Sequence, residues 1–283
     1  MQAINHCSKF QVEIAGESSL DALRELEILF NTFDEIGGLE DCSNLQKLSL
    51  LDNGLKRISN LAPVSLTLTT LCICDQDISR MECLDLPNLR NLYLHRNNIR
   101  QMSGLAGCPR LKRLWLFQNQ LSNIEDLHCV PELQELWLQA NKIVSTRGLE
   151  VSEQLRVLGL AGMLVYHLYK ILNSSSEIFC TIYLSGNPIV DFNETKRIAS
   201  LVSLSELSLS DIHFGRCPIV DEKGYKDFIL LHFQGLTVLD GVRVGPSHRT
   251  NASSNYKSAV KVFFLITILI KLSMSSIFYL PSI

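Results

Sequence analysis

No charge of either sign dominates this sequence: 26 Lys and Arg are set against 29 Asp and Glu over 283 residues. Proteins that neutralise phosphates carry a basic excess or a basic stripe, so the balance argues against nucleic acid as the main partner. Paired cysteines are missing as well. The nine cysteines are an odd number and none is spaced as CxxC, which disfavours a disulfide framework and predicts reduced thiols in a cytosolic compartment. The N-terminal stretch MQAINHCSKFQVEIAGESS has no basic segment leading into an apolar run, so no secretory leader is expected there.

Catalytic groupings are equally scarce. The seven His residues fall at unrelated phases, without a visible carboxylate and nucleophile partner. GLAGCP and GGLE are too short and wrongly placed to cradle a phosphate. Cys72 and Cys74 fall on outward slots of one strand, with no second pair facing them at a zinc-like spacing. Cys42 and Cys108 share a slot that Leu86 and Val130 fill elsewhere, which marks them as buried thiols. The expectation is no enzyme, no metal and no cofactor.

What is present is a period. The template L-x-x-L-x-L-x-x-N-x-L starts at Leu23, Leu45, Leu68, Leu89, Leu111, Leu133, Leu155, Phe179 and Leu204, with spacings of 21 to 25 residues. Its ninth position is Asn31, Asn53, Asn97, Asn119, Asn141 and Asn187, while Gln76, Met163 and Ile212 depart from it. An L-x-L core alternates inward and outward as a short strand does. The later apolar residues suit a turn or short helical return. One such coil cannot bury both of its apolar rows, so neighbours stack and share a continuous core. The Asn side chain suits the backbone groups that each tight turn leaves unpaired. These features predict an α/β solenoid, with parallel strands on the concave face and short helical or 3-10 returns on the convex one.

The only two tryptophans, Trp115 and Trp137, occupy the same slot of adjacent coils, 22 residues apart. They sit between the second and third leucines of the template, where alternation turns a side chain to the concave surface. Tyr93 holds that slot one coil earlier, and His95, Phe117 and Gln139 stand two residues further along. Strands about 4.8 Å apart would line these rings into one stripe. Two readings follow: the rings stiffen the sheet by packing on one another, or they form a partner-binding patch. The second is favoured, because water-facing Trp clusters are unusual. Arg96 and Arg113 beside the rings suggest a protein or peptide partner of some acidic character, and Glu135 adds to a mixed surround.

The chain divides into a lead-in at 1–22, repeats at 23–223 with an irregular coil at 161–178, a C-terminal cap at 224–244, a polar linker at 245–258 and an apolar tail at 259–283. In the cap, Tyr225, Phe228, Leu231, Leu236 and Leu239 are placed to cover the last coil, and Asp240-Gly241 to end it in a turn. The repeats and the segment YKDFILLHFQGLTVLDG resemble the 22-residue class of leucine-rich repeats typified by the regulatory subunit of protein phosphatase 1 and an axonemal dynein light chain. That resemblance covers about residues 20 to 244 and implies a leucine-rich-repeat solenoid acting as a binding scaffold, cytoplasmic and in several members ciliary. LEILFNTF, CDQDISRM and ELSLSDIHFGRCPIVDEKGYKDF resemble the family of leucine-rich repeat-containing protein nine, which implies a fragment or splice form of a longer protein.

The tail is the one long apolar stretch, yet its uninterrupted run, Val262 to Ile270, has nine residues between Lys261 and Lys271. A spanning helix needs about 20. A dispensable alternative terminus is therefore favoured over a membrane tail-anchor at 259–280. KVFF at Lys261 resembles a phosphatase 1 docking peptide, through a degenerate pattern. A membrane-tethered adaptor and a phosphatase 1 regulatory subunit are the alternative functions.

Overall fold

The computed structural model describes residues 20–168 and 179–257. The apolar tail, KVFF, the lead-in before Leu20 and part of the irregular coil at 161–178 lie outside the described residues.

Each template unit contributes one short strand. These are β1 (Glu25–Leu29), β2 (Lys47–Leu51), β3 (Thr70–Cys74), β4 (Asn91–Tyr93), β5 (Arg113–Trp115), β6 (Glu135–Trp137), β7 (Val157–Gly159), β8 (Thr181–Tyr183) and β9 (Glu206–Ser208). They pair in parallel and in sequence order, so nine strands enclose eight full turns of the coil. The register is one repeat per strand: Leu92, Leu114, Leu136 and Leu158 stand side by side, as do Tyr93, Trp115 and Trp137. The apolar residues of the first, fourth and sixth template positions, the partly buried Leu23 excepted, are buried in a single cluster that runs the length of the stack. Burying each contributes roughly 1.5–3 kcal/mol. On the return side lie 3-10 turns such as Leu105–Gly107, Leu127–Cys129 and Leu149–Val151, whose first Leu is buried each time.

Two corners close each coil, and both use left-handed backbone. The residue before the ladder position has positive φ in Phe30, Asp52, Asp75, Arg96, Gln118 and Ala140, all between 51° and 57°. A non-glycine residue in that region costs about 1–2 kcal/mol, and the ladder side chain beside it offsets the cost. Asn119 shows how: its Oδ1 accepts from Ile99 N at 3.0 Å, while its Nδ2 donates to Leu94 O at 2.9 Å and Leu116 O at 3.0 Å. Asn53, Asn97, Asn141 and Asn187 likewise bind the backbone of the coil before them. Gln76, which departs from the template, does the same work: its Oε1 accepts from Asn53 N and Leu55 N, and its Nε2 donates to Leu50 O. Met163 does not; it is buried as an ordinary core side chain. The second corner, further round the coil, is tight where glycine holds it: a Cβ on Gly104 would stand 2.7 Å from Met81 O, whereas Asn60, Cys83 and Asp126 take the equivalent place in other coils with φ of 54° to 57°.

The last coil is finished differently. Ile212 is 93% exposed and belongs to no ladder; it lies in a hairpin of β10 (Ser210–Asp211) and β11 (Gly215–Arg216). That hairpin brings Phe214 against Gly162 and Gly186, where any Cβ would collide with it. Asp240 supplies the missing ladder group: its Oδ1 accepts from Leu209 N and Ser210 N, and its Oδ2 accepts from the Tyr225 hydroxyl at 2.9 Å. The cap consists of α2 (Tyr225–His232), numbered after α1 (Phe192–Lys196), then β12 (Val238–Leu239), which extends the sheet beside β9, and the antiparallel β13 (Val242–Arg243). Asp240 and Gly241, with φ of 50° and 75°, form the two-residue hairpin turn that the Asp-Gly pair favours.

Two expectations for this end change. The buried face of α2 is Tyr225, Ile229 and Leu230, with Leu231 only partly covered, because the helix turns its 3.6-residue phase toward the last coil. The segment read as a polar linker is helical over 246–257, which is α3. Its Arg249 donates to Leu230 O, Phe233 O and Leu236 O, at 2.9, 3.3 and 2.6 Å. Leu230 O lies in the last turn of α2, whose carbonyls a helix C-terminus leaves without intrahelical partners, while Phe233 O and Leu236 O belong to the loop that follows; Ala252 is buried as part of the core.

Candidate functional site

Three rows of side chains cross the outward face of the sheet, one from each outward slot. The first is polar. Asn91 Nδ2 donates to Thr70 Oγ1 at 2.9 Å, Arg113 Nη1 to Asn91 Oδ1 at 3.1 Å, and Arg113 Nε to Glu135 Oε1 at 2.9 Å. Hydrogen bonding to Glu135 raises the already high pKa of Arg113. Four strands are thus tied side by side by a chain of side-chain bonds.

The second row is aromatic. Tyr93 meets Trp115 edge-on at 4.7 Å between ring centroids, and Trp115 meets Trp137 edge-on at 6.2 Å. Beyond Trp137 the same slot holds Gly159 and then Tyr183. The Trp137 and Tyr183 rings stack at 5.4 Å with 23° between their planes, although their strands are two spacings, about 9.6 Å, apart. Glycine permits this closure, because it puts no side chain between the rings. A Cβ on Gly159 would also collide with the side chain of Gln139, which leans across it. The row is therefore four rings long. Tyr183 was absent from the site read from sequence; it holds the right slot, but only folding shows that the gap at Gly159 is bridged.

The third row begins at Cys74 and continues through His95 and Phe117 to Gln139. His95 lies flat on Phe117, at 4.3 Å and 12°. Its Nδ1 is 3.3 Å from Cys74 Sγ. Burial lowers the His95 pKa below the usual imidazole range, partly opposed by Asp75. Burial raises the phenol pKa of both Tyr93 and Tyr183.

All nine residues read as a site from sequence fall on this face or its edge, but they are not equally open. Tyr93, His95, Trp115, Phe117 and Trp137 are half-buried and stand outside the leucine core. Gln139 is buried, at 9% exposure. Arg96 lies at the left-handed corner, 2.8 Å from Asp75. Since Arg113 is also held by Glu135, neither guanidinium is an unpaired positive charge, and the expected preference for an acidic partner loses its basis. Trp115 Nε1, Trp137 Nε1 and Gln139 Oε1 are covered yet have no hydrogen-bond partner. Cys42 and Cys108 are core residues, fully buried. Among the described residues no His, Cys, Asp or Glu group could hold a metal ion, and no helix is long and apolar enough to cross a membrane.

Known proteins match this architecture. A family model described as leucine-rich repeats (2 copies) matches residues 109–162. No curated protein matches the sequence. The internalin InlF of Listeria monocytogenes is similar in structure at 20% identity, with a TM-score of 0.52, over 80% of this chain and 68% of that one. Internalin C2 of the same organism is similar at 19% identity and a TM-score of 0.51, over 78% of this chain and 81% of that one. A TLR13–ssRNA13 complex gives 19% identity and a TM-score of 0.56, over 76% of this chain but 35% of that one. At such identities the likeness is one of fold. The chain is built as a leucine-rich-repeat solenoid, and the family's own sequence pattern matches it across the coils that hold Trp115 and Trp137.

Proposed function

We propose that this chain is a non-enzymatic scaffold that binds a protein partner on its concave face, with Tyr93, Trp115, Trp137 and Tyr183 as the anchoring rings. The observation that carries this reading is the unbroken row of four half-buried rings, bordered by three polar atoms without partners. Leucine-rich-repeat folds generally mediate protein–protein contacts. Trp and Tyr dominate interface hot spots, where truncation of an anchor costs about 2 kcal/mol or more. A covered donor or acceptor left unpaired costs about 1–3 kcal/mol, so a partner that turns a ring and pairs its indole N–H regains part of that energy. Because the flanking charges are paired internally, the partner surface complementary to this concave face is convex, largely apolar and dotted with neutral acceptors. His95, Phe117 and Gln139 form the far wall of the same surface, and Arg96, Arg113 and Glu135 its rim.

A cytoplasmic or ciliary setting, and membership of a longer protein of several repeat arrays, belong to the same proposal and rest on the resemblance of the repeats and cap. The membrane-tethered adaptor reading rests on 259–280, outside the described residues, and the phosphatase 1 regulatory reading on the resemblance of the repeats and cap, not on the degenerate Lys261 motif.

Proximity labelling in cells tests the proposal, comparing the native chain with Trp115→Ala/Trp137→Ala and with Tyr183→Ala. The expected result is loss of the same labelled proteins in both variants while the purified variants still unfold cooperatively. An unchanged set of labelled proteins, with a lower melting temperature, assigns the rings to stiffening the sheet instead.

A further inference from the structure

On the strand before the aromatic row, Cys72 and Cys74 occupy successive outward slots, and their sulfurs lie 3.3 Å apart. Cys72 is paired in register with Tyr93. It is partly exposed, whereas Cys74 is buried. Around the Cys74 thiol stand three hydrogen-bonding atoms: Cys72 Sγ at 3.3 Å, His95 Nδ1 at 3.3 Å and Tyr93 O, an acceptor, at 3.4 Å. This arrangement is more specific than two thiols that happen to be neighbours. The accessible sulfur lies within hydrogen-bond reach of the enclosed one, which already faces it.

We propose that Cys72 and Cys74 form a peroxide-responsive thiol pair, closing to a reversible intrastrand disulfide at the edge of the concave face. The chemistry balances with hydrogen peroxide as the oxidant. The Cys72 thiolate attacks one peroxide oxygen; an S–O bond forms, the O–O bond breaks, and hydroxide leaves to become water. Cys72 is then a sulfenic acid, oxidised by two electrons. The Cys74 sulfur attacks Cys72, the S–S bond forms, the S–O bond breaks, and the departing hydroxide takes up the Cys74 proton as a second water. His95 Nδ1, 3.3 Å from Cys74 Sγ, is placed to relay that proton in the tautomer that leaves Nδ1 without hydrogen, and burial lowers the pKa of its ring.

The order of events follows from the environment. Cys72 has its pKa lowered, chiefly by the hydrogen bond from Cys74, while Cys74 has its own raised. The thiolate is the nucleophile, so the exposed member reacts first. Reversibility follows from the backbone. Residues two apart on a strand have Cα atoms about 6.6 Å apart, near the upper end of the roughly 4.4–6.8 Å that disulfides span. Strained disulfides are among the more easily reduced ones. The bond is thus a labile modification and not a structural staple.

Peroxide treatment of the full chain, alkylation of the remaining thiols and peptide mass mapping form the test. The peptide holding Cys72 and Cys74 is expected to lose two hydrogens and take no alkyl label, and a dithiol reductant restores both labels. In Cys74→Ser, dimedone traps Cys72 as the sulfenic acid; in Cys72→Ser, Cys74 stays fully alkylatable under denaturing conditions. The proposal is overturned if Cys72 and Cys74 both remain alkylatable while the exposed Cys83 is oxidised, or if Cys72 is found bonded to any other cysteine. Circular dichroism of each variant separates a lost reaction from a lost fold.

Discussion

The asparagine ladder and the aromatic stripe are built by one repeat and behave in opposite ways. Along the ladder, a side-chain amide recurs with Met163 as the exception, and from Asn53 to Asn187 each Asn, with Gln76 among them, pairs with the coil before it. Along the stripe, the slot changes from Ser49 to Cys72, Tyr93, Trp115, Trp137, Gly159 and Tyr183, and two of its indole N–H groups are unpaired. Near-uniformity marks positions that most coils use in order to close. Variation marks a surface whose content the coil does not dictate, which is where recognition can be written.

The largest effect belongs to the ladder. Asn119→Ala leaves Ile99 N without its acceptor and takes one of two donors from Leu94 O and Leu116 O, which keep Asn97 and Asn141; it is expected to cost about 3 kcal/mol in denaturant unfolding, from about 1–3 kcal/mol for the unpaired N–H and about 1 kcal/mol for each further bond lost. A cost near that of an ordinary surface change would break the contrast drawn above. Next comes the corner. Gly148→Ala places a Cβ against Ile124 O at a φ of 102° and is expected to lose about 2 kcal/mol or more, whereas Gly54→Ala meets no atom within 4 Å and loses about 1 kcal/mol, the left-handed strain alone.

On the stripe, Gly159→Val drives a side chain between Trp137 and Tyr183 and into Gln139. It is expected to destabilise by about 1–3 kcal/mol through overpacking, shift the tryptophan emission and weaken partner capture together. Unchanged emission would mean that the four rings do not act as one surface. The smallest effect is on the rim. Arg113→Ala removes the exposed pair with Glu135, and about 1 kcal/mol or less is expected in thermal melts, with partner capture retained because that charge was already neutralised.

Much of the architecture was legible because it rests on period and side-chain chemistry. Nine template starts correspond to nine strands, and the slot between the second and third leucines places Trp115 and Trp137 on the outer face, as alternation requires. Gln76 was harder to read. Its extra methylene breaks the motif, yet the amide still reaches Leu50 O and two N–H groups of the previous coil. Arg249 could not be read from its polar surroundings, because its acceptors lie 13 to 19 residues earlier, where α2 ends. Arg96 and Arg113 looked like free charges until the coils were stacked; each finds its carboxylate one coil away, on Asp75 and Glu135.

The sequence by itself determined the solenoid, since burying a leucine row every 22 residues or so leaves stacking as the way to remove that much apolar surface from water. Only the tertiary structure decided how the outward side chains meet one another: that Tyr183 reaches Trp137 over a glycine, that the arginines are neutralised, and that Cys72 and Cys74 face each other beside His95. Such contacts depend on distances between coils and on side-chain direction, which a linear pattern does not encode.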